Sequence, residues 1–347
     1  MRAVPAVTAV LLMVPLPALA DEPSPAVLDA PQSVTAVQTG IDVQVSWAPV
    51  TGATAYTASA DSGQSCTTGA TSCVITGLPA RAAYSFTVTA TDGIVTSVPS
   101  TPSASLFLRA RLAAPRFSSD RVVVGRSLKG RKIVAQRQGD PLAPVILLSV
   151  GQMHGSEPAG LRVTKRVRSA SVPDDAPYQL WTIRTMNPDG AARRNRYNAR
   201  GVDLNRNFPG TWSRQSRTGS RPASEPETRA MMRFLRTLAP TGVLSFHQPW
   251  DTTLSVCDTQ SAYWVRLTAQ LTGVHTPANP SNCGNWLPGT MNRWTSRVTG
   301  AWFVTVELPA SYKVAPYIPR AASAVVALAE SMSAADSGAP VGQTSLR

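Results

Sequence analysis

His154 and Glu157 stand three residues apart in G-Q-M-H-G-S-E-P-A-G (151–160), directly after the apolar run V-I-L-L-S-V (145–150). At that spacing an imidazole and a carboxylate can serve one metal ion, or meet as an ordinary loop pair. The chain holds only three histidines, and a second, His247, follows another apolar run, G-V-L-S-F (242–246). Two histidines and one carboxylate leave a coordination position open for water, the composition of a catalytic zinc rather than a structural one. Glu307 follows a further run, W-F-V-T-V (302–306), as a carboxylate outside that ligand set. A last polar concentration, N-P-D-G-A-A-R-R-N-R-Y-N-A-R-G-V-D-L-N-R-N-F-P (187–209), comes after Y-Q-L-W-T-I-R-T (178–185). Singly, each has a plain explanation: H-x-x-E as a helix-cap contact, His247 as a satisfied core histidine, Glu307 as the partner of an arginine. Jointly they ask for one crevice. The third histidine, His275 in G-V-H-T-P-A-N-P, reads as a surface loop residue without a role.

The elements that would build such a crevice are legible. The four apolar runs are near-continuous rather than alternating, as strands of a largely parallel sheet covered on both faces must be. Between and after them lie helical patterns: Glu225 to Leu238 behind the capping signal Ser224, Ala262 to Leu271, and about Pro319 to Ser333. Alternating strand and helix means α/β, and in open α/β sheets ligands bind beyond the carboxyl ends of the strands. All four polar groups sit at such ends. Residues 31–108 have a different texture. They are poor in Lys, Arg and Glu, rich in Thr, Val, Ala and Ser, and punctuated every 8 to 12 residues by Gly, Pro or Asp. That rhythm predicts a small all-β sandwich, with Val43, Val45 and Trp47 on one buried face and Tyr84, Phe86 and Val88 on another.

At 347 residues two domains are expected. Residues 1–20, MRAVPAVTAVLLMVPLPALA, have a basic start, a short apolar stretch and an A-L-A ending, which reads as a secretory signal peptide cut after Ala20. Its apolar core is broken by prolines and falls short of the roughly 20 residues of a membrane span, and no later segment could span either. The four cysteines favour the local pairings Cys66–Cys73 and Cys257–Cys283, one in each half, and suit an oxidising compartment, outside the cell or associated with the cell wall. The formal charge of +13 is uneven. Residues 21–108 carry one Arg against six acids, and residues 109–347 carry 31 Lys or Arg against 14. The basic half would attract anionic partners, such as cell-wall polymers or acidic peptides. Nucleic acid is not expected, since no stripe of basic residues interleaved with aromatics occurs. The Gly/Ser-containing tail, 334–347, is expected to be disordered.

Two resemblances follow from motifs. P-x-x-V-x-A, V-S-W-x-P-V-x-G-A-x-x-Y and G-L-x-x-x-x-x-Y-x-F-x-V-x-A, within 31–108, resemble a fibronectin type III domain, which implies a seven-strand immunoglobulin-like sandwich acting as spacer or adhesion module. The order H-G-S-E, G-V-D-L-N-R-N-F-P, S-F-H, V-T-V-E-L-P, preceded by V-G-R-S-L-K-G-R-K-I, resembles the zinc carboxypeptidases of the carboxypeptidase A type over residues 117–333. That resemblance implies a mixed, largely parallel eight-stranded sheet flanked by helices and one Zn2+ per chain. His154, Glu157 and His247 would hold the metal, and Glu307 would take a proton from water and pass it to the leaving amine. Arg196, or alternatively Arg193, would face the developing oxyanion. Asn205 and Arg206 would hold a terminal carboxylate, and Asp203 would accept the ring N–H of the first zinc histidine.

The sequence also departs from that family. Its usual loop tyrosine has no counterpart: the one Tyr between His247 and Glu307 is Tyr263, on an expected helix, and Trp286 stands near the vacated place. Asn292 and Arg293 are candidates to line the specificity pocket. A sandwich takes the place of the family's inhibitory prosegment. The implied activity is hydrolysis of a C-terminal peptide bond. The N-P-D-G to N-R-N-F-P stretch and the L-P-G-T loop also resemble bacterial murein-peptide amidases, which cut the γ-D-glutamyl bond to meso-diaminopimelate, making a muropeptide the alternative substrate. The competing class is a non-enzymatic wall- or surface-binding protein.

Overall fold

The computed structural model describes residues 27–80, 82–110, 112, 114–255, 259–275 and 287–336. The expected signal peptide, the Cys257–Cys283 pairing, Trp286 and the tail beyond 336 lie outside these residues. By contact density the chain divides into two units, one of residues up to 36 with 45–74 and 85–104, the other of 37–44, 75–84 and 105 onward.

The first half holds strands β1 (Thr35–Thr39), β2 (Asp42–Ser46), β3 (Ala55–Ala60), β4 (Ser65–Thr68), β5 (Ser72–Ile75), β6 (Ala82–Tyr84), β7 (Phe86–Thr91) and β8 (Leu106–Leu108). Their sheets run β1-β2-β5, β4-β3-β7 and β6-β8. Side chains alternate as the sequence predicts: Val43, Val45, Trp47, Tyr84, Phe86 and Val88 are all buried. Cys66 and Cys73 form a disulfide. The free edge of β7 is covered by the segment S-V-P-S-T-P-S (97–103), which is not a strand. Ser97, Ser100 and Ser103 each donate a backbone N–H to Ala90, Val88 and Phe86 (2.8–2.9 Å). Each hydroxyl accepts the N–H of that same residue (2.9–3.2 Å). A serine hydroxyl thus stands in for a ladder carbonyl every third residue.

The second half is built on a seven-stranded mixed sheet, counted among the described residues. Its strands are β9 (Arg121–Arg126), β10 (Lys132–Gly139), β11 (Ile146–Val150), β12 (Gln179–Ile183), β13 (Gly242–His247), β14 (Trp250–Ser255) and β15 (Trp302–Pro309). The order is β14-β15-β13-β11-β12-β10-β9. The four strands expected from apolar runs are the parallel centre; β14 and β10 flank it antiparallel, and β9 pairs antiparallel with β10 at the outer edge. Every residue of β11, β12, β13 and β15 is buried. Alternate residues feed opposite cores. Leu147, Leu180, Leu244, Val304 and Val306 pack with helices α1 (Ala159–Arg168), α4 (Thr259–Thr272) and α6 (Tyr317–Asp336). Leu148, Trp181, Ile183, Val243 and Phe303 face α3 (Pro226–Leu238), α5 (Met291–Thr299) and the loop carrying Leu204 and Phe208.

The helices match the predicted ones with shifted ends. Ser224 does not cap α3 as the sequence suggested. The N-cap is Glu225, whose side chain makes no capping bond, because the Ser224 hydroxyl is engaged by Glu225 Oε1 and Asn207. Helix α6 runs to Asp336, so residues 334–336, expected to begin the disordered tail, are its last turn.

Candidate metal and catalytic site

Each site residue is set by the end of a parallel strand. β11 stops at Val150, and the loop carrying His154 and Glu157 turns into α1. That loop lies so close to the short helix α2 (Pro188–Arg193) that a Cβ at Gly155 would collide with the backbone of Gly190 and Asn195. Glycine there is a condition of the close approach. His247 ends β13 and is paired in register with Glu307 of β15, so two adjacent strands present an imidazole and a carboxylate side by side.

His154, Glu157 and His247 offer ligand atoms that all lie within 4.8 Å of one another. His154 Nδ1 is 2.8 Å from Glu157 Oε1, His247 Nδ1 is 3.1 Å from Glu157 Oε2, and the two Nδ1 atoms are 3.2 Å apart. The opposite ring nitrogens are occupied: His154 Nε2 meets Asp203 Oδ1 at 3.0 Å, and His247 Nε2 meets Ser245 Oγ at 3.1 Å. With a proton on each Nε2, two nitrogen lone pairs and a carboxylate point at one another with no positive charge between them, an arrangement that a cation resolves. The ionisation tendencies agree. Burial pulls His154 down, but Asp203 and Glu157 more than offset it and raise its pKa. Burial pushes Glu157 up, yet the His154 and His247 rings hold it at about 2. Asp203 is likewise held well below the usual carboxylate range, its burial outweighed by the bond and charge of His154 and by the charges of Arg196 and Arg206. The donor set, two imidazoles and a carboxylate held in its ionised form, fits a divalent zinc.

Glu307 is buried, and its Oε2 has no hydrogen-bond partner among the described residues. Burial raises its pKa; the nearby Glu157 pushes the same way, and the histidines oppose it. A buried carboxyl with a free oxygen and a raised pKa is suited to hold a proton and give it up again.

Of the two arginines weighed from the sequence, the structure brings one into the cluster. Arg196 Nη1 donates to Glu157 Oε1 (3.0 Å) and its Nε to Asp203 Oδ2 (3.1 Å), bridging a metal-site carboxylate to the carboxylate behind His154. Arg193 instead donates Nη2 to the carbonyl of Asn198 (2.8 Å), a bond internal to its own loop. Asn205 Oδ1 accepts the N–H of Met291 (3.0 Å), tying the 3-10 turn Leu204–Arg206 to the start of α5. Arg206 is half-buried, and its Nη1 donates to the carbonyl of Asn205. Gly289, at φ +67° before α5, lies where a Cβ would strike the Arg206 backbone. Asn292 and Arg293 are half-buried in the first turn of α5. Tyr263 is exposed on α4 and takes no part in the cluster. His275 is exposed and pairs with Asp251 at 3.0 Å.

Several positioning residues escaped sequence reasoning. Ser245 is one, although S-F-H on a strand puts residues 245 and 247 on one face. Gln248 is another: its amide accepts from Ala159 N and donates to Pro309 O, fastening the start of α1 to the end of β15. Beneath the 187–209 loop, Asn198 donates to Glu225 and Glu227, Arg200 pairs with Glu225, and Asn207 receives Glu225 N. Asp189 accepts from Lys129 N and Arg131 of the β9–β10 hairpin. These partners lie 18 to 60 residues apart in sequence, and no local pattern announces them.

Comparison with known families gives the geometry a name. Residues 176–323 match the sequence profile of the zinc carboxypeptidase family. Over this stretch the chain is similar to that family. The matched stretch contains His247 and Glu307, while His154 and Glu157 lie upstream of it and meet His247 through the geometry above. Among curated proteins, murein peptide amidase A of Escherichia coli K12 is 30% identical over 141 residues, 36% of this chain and 55% of that protein. Carboxypeptidase SOL1 of Arabidopsis thaliana is 29% identical over 151 residues, 38% of this chain and 30% of that protein. The chain thus spans about half the length, or less, of these relatives. Carboxypeptidase A of Helicoverpa armigera shares the fold, with a TM-score of 0.51 at 19% identity over 62% of this chain and 68% of its own. No helix among the described residues is long and apolar enough to cross a membrane.

Proposed function

We propose that the protein is a secreted zinc metallocarboxypeptidase that hydrolyses the C-terminal peptide bond of peptides. The observation that carries the reading is the convergence of His154, Glu157 and His247 beside a buried Glu307 with an unsatisfied oxygen. A bound zinc would polarise the scissile carbonyl and acidify a water. Glu307 would accept a proton from a water and deliver it to the departing amine, a task its raised pKa favours. Arg196 supplies a positive charge beside the oxygen on which negative charge develops. Asn205 and Arg206, on the turn next to α5, hold the substrate's terminal carboxylate and so restrict cleavage to chain ends. Export is supported by the leader-like first twenty residues and by the Cys66–Cys73 disulfide.

A second reading is favoured by the 141-residue likeness to murein peptide amidase A: the substrate is a muropeptide, cut at a γ-D-glutamyl bond to diaminopimelate. Incubation of the purified protein with a peptide panel that includes a muropeptide tests both, with products identified by mass and a chelator control. Loss of a C-terminal residue from ordinary peptides supports the first reading, and selective muropeptide cleavage the second. No metal-dependent product from any substrate would sink both and leave a binding protein.

A further inference from the structure

The segment 193–221 carries eight arginines, at positions 193, 194, 196, 200, 206, 214, 217 and 221, against a single acid, Asp203. Asp203 is buried and already engaged by His154 and Arg196. Arg193, Arg196 and Arg206 belong to the site and its loop, and Arg200 pairs with Glu225. That leaves Arg194, Arg214, Arg217 and Arg221, all exposed, with no carboxylate within ion-pair distance among the described residues.

These four come from two loops that are folded onto each other. Asp203 N donates to Arg217 O (2.8 Å), Asn207 Nδ2 donates to the carbonyls of Thr218 and Arg221, and the Arg217 guanidinium lies 4.7 Å over the Tyr197 ring. The main-chain segments that carry these charges are therefore bonded to one another, beside the loop that supplies Arg196. Exposed like charges repel one another, and a cluster of them attracts an anionic ligand. Planar guanidinium forks suit the paired oxygens of phosphates.

We propose that Arg194, Arg214, Arg217 and Arg221 form a docking surface for a phosphodiester-linked anionic polymer without bases, such as a poly(glycerol phosphate). Two observations favour this partner over a nucleic acid. A single strand is gripped by stacking its bases on open aromatic faces. Here the Tyr197 face is covered by Arg217, and Trp212 is half-buried with its N–H bonded to Thr218 O. What remains is charge, which reads a backbone and nothing else. A disulfide-bonded chain with a leader-like start would meet such a polymer outside a cell. The proposal is independent of the peptidase reading, since none of the four arginines belongs to the metal or acid–base machinery.

The test is binding of the full chain to synthetic poly(glycerol phosphate), with polyglutamate and oligothymidine of similar charge as parallel arms, each titrated at several salt concentrations. Neutralising Arg194, Arg214 and Arg221 together to serine should lower the log–log salt slope by about 2, since every phosphate that is no longer neutralised on a flexible polyanion takes about 0.7 from it. Hydrolysis of a short neutral peptide should stay unchanged. A control that neutralises Arg162, Lys165 and Arg166 on α1 should leave the slope as it is. Equal reductions in both triple variants would show that net charge alone is responsible, and tighter binding of oligothymidine or polyglutamate would assign the surface to another partner. Either result overturns the proposal.

Discussion

The two halves treat charge in opposite ways. Among the described residues, the sandwich buries no carboxylate, lysine, arginine or histidine; its buried polar side chains are Ser97 and Ser100, both spent on the backbone of β7. The second half buries Asp140, His154, Glu157, Asp189, Asp203, Glu225, Glu227, His247 and Glu307. Burying an ionisable group costs several kcal/mol unless it is paired; here most are paired around the ends of four strands and the loop beneath them, while Glu307 keeps one oxygen without a partner among the described residues. The all-β first half thus closes its ladders without burying a charged side chain among the described residues. The second half concentrates most of its buried charge at the carboxyl ends of the parallel strands; Asp140, before β11, is the exception.

Substitutions can break this contrast. His247→Ala should have the largest effect: metal analysis is expected to fall from one zinc per chain to none, with peptide hydrolysis abolished. An unchanged zinc content would refute the ligand set. Glu307→Gln should keep the metal and the melting temperature while lowering kcat by about 10²–10⁴-fold, the usual worth of a general acid–base group; a kcat near wild type would remove Glu307 from the mechanism. Replacing Cys66 and Cys73 together by alanine should destabilise the sandwich by about 2 kcal/mol, as expected for so short a loop. Zinc content and kcat should not move, and a coupled loss would show the halves to be less separate than their chemistry.

Asp189 gives the smallest and most specific effect. Burial pushes its carboxyl up, but the Lys129 N–H and Arg131 outweigh that and hold it below its ordinary value of 3.8. A depressed carboxyl stabilises the fold at pH values above 3.8, and this contribution disappears as pH falls through the folded pKa. Asp189→Asn should therefore melt earlier than wild type at neutral pH, with the gap closing in acid. A gap of constant size down to strongly acidic pH would mean that the carboxylate charge plays no part.

Much of this was legible in the sequence because parallel strands covered on both faces leave an unmistakable apolar run, and because histidine is scarce enough for two strand-end histidines to stand out. β14 was not legible. It is an edge strand of polar residues, W-D-T-T-L-S, with an exposed Trp250, and edge strands lack the two-sided burial that produces the signal. Ser224 misled because an N-cap serine and a serine bound to a neighbouring carboxylate look alike in one dimension. The choice between Arg193 and Arg196 needed the fold, since α2 and the turn after it point one into its own loop and the other across to Glu157.

The serine-lined seam along β7 also bears on how copies of this chain behave when crowded. An unguarded strand is a template onto which a neighbour can zip. Here the amides of Phe86, Val88 and Ala90 are already taken, and Pro99 and Pro102 withhold the donors that a growing stack would require. Fibril growth from that side is blocked by seven residues of the chain itself, 97–103, so high local concentration need not lead to aggregation there.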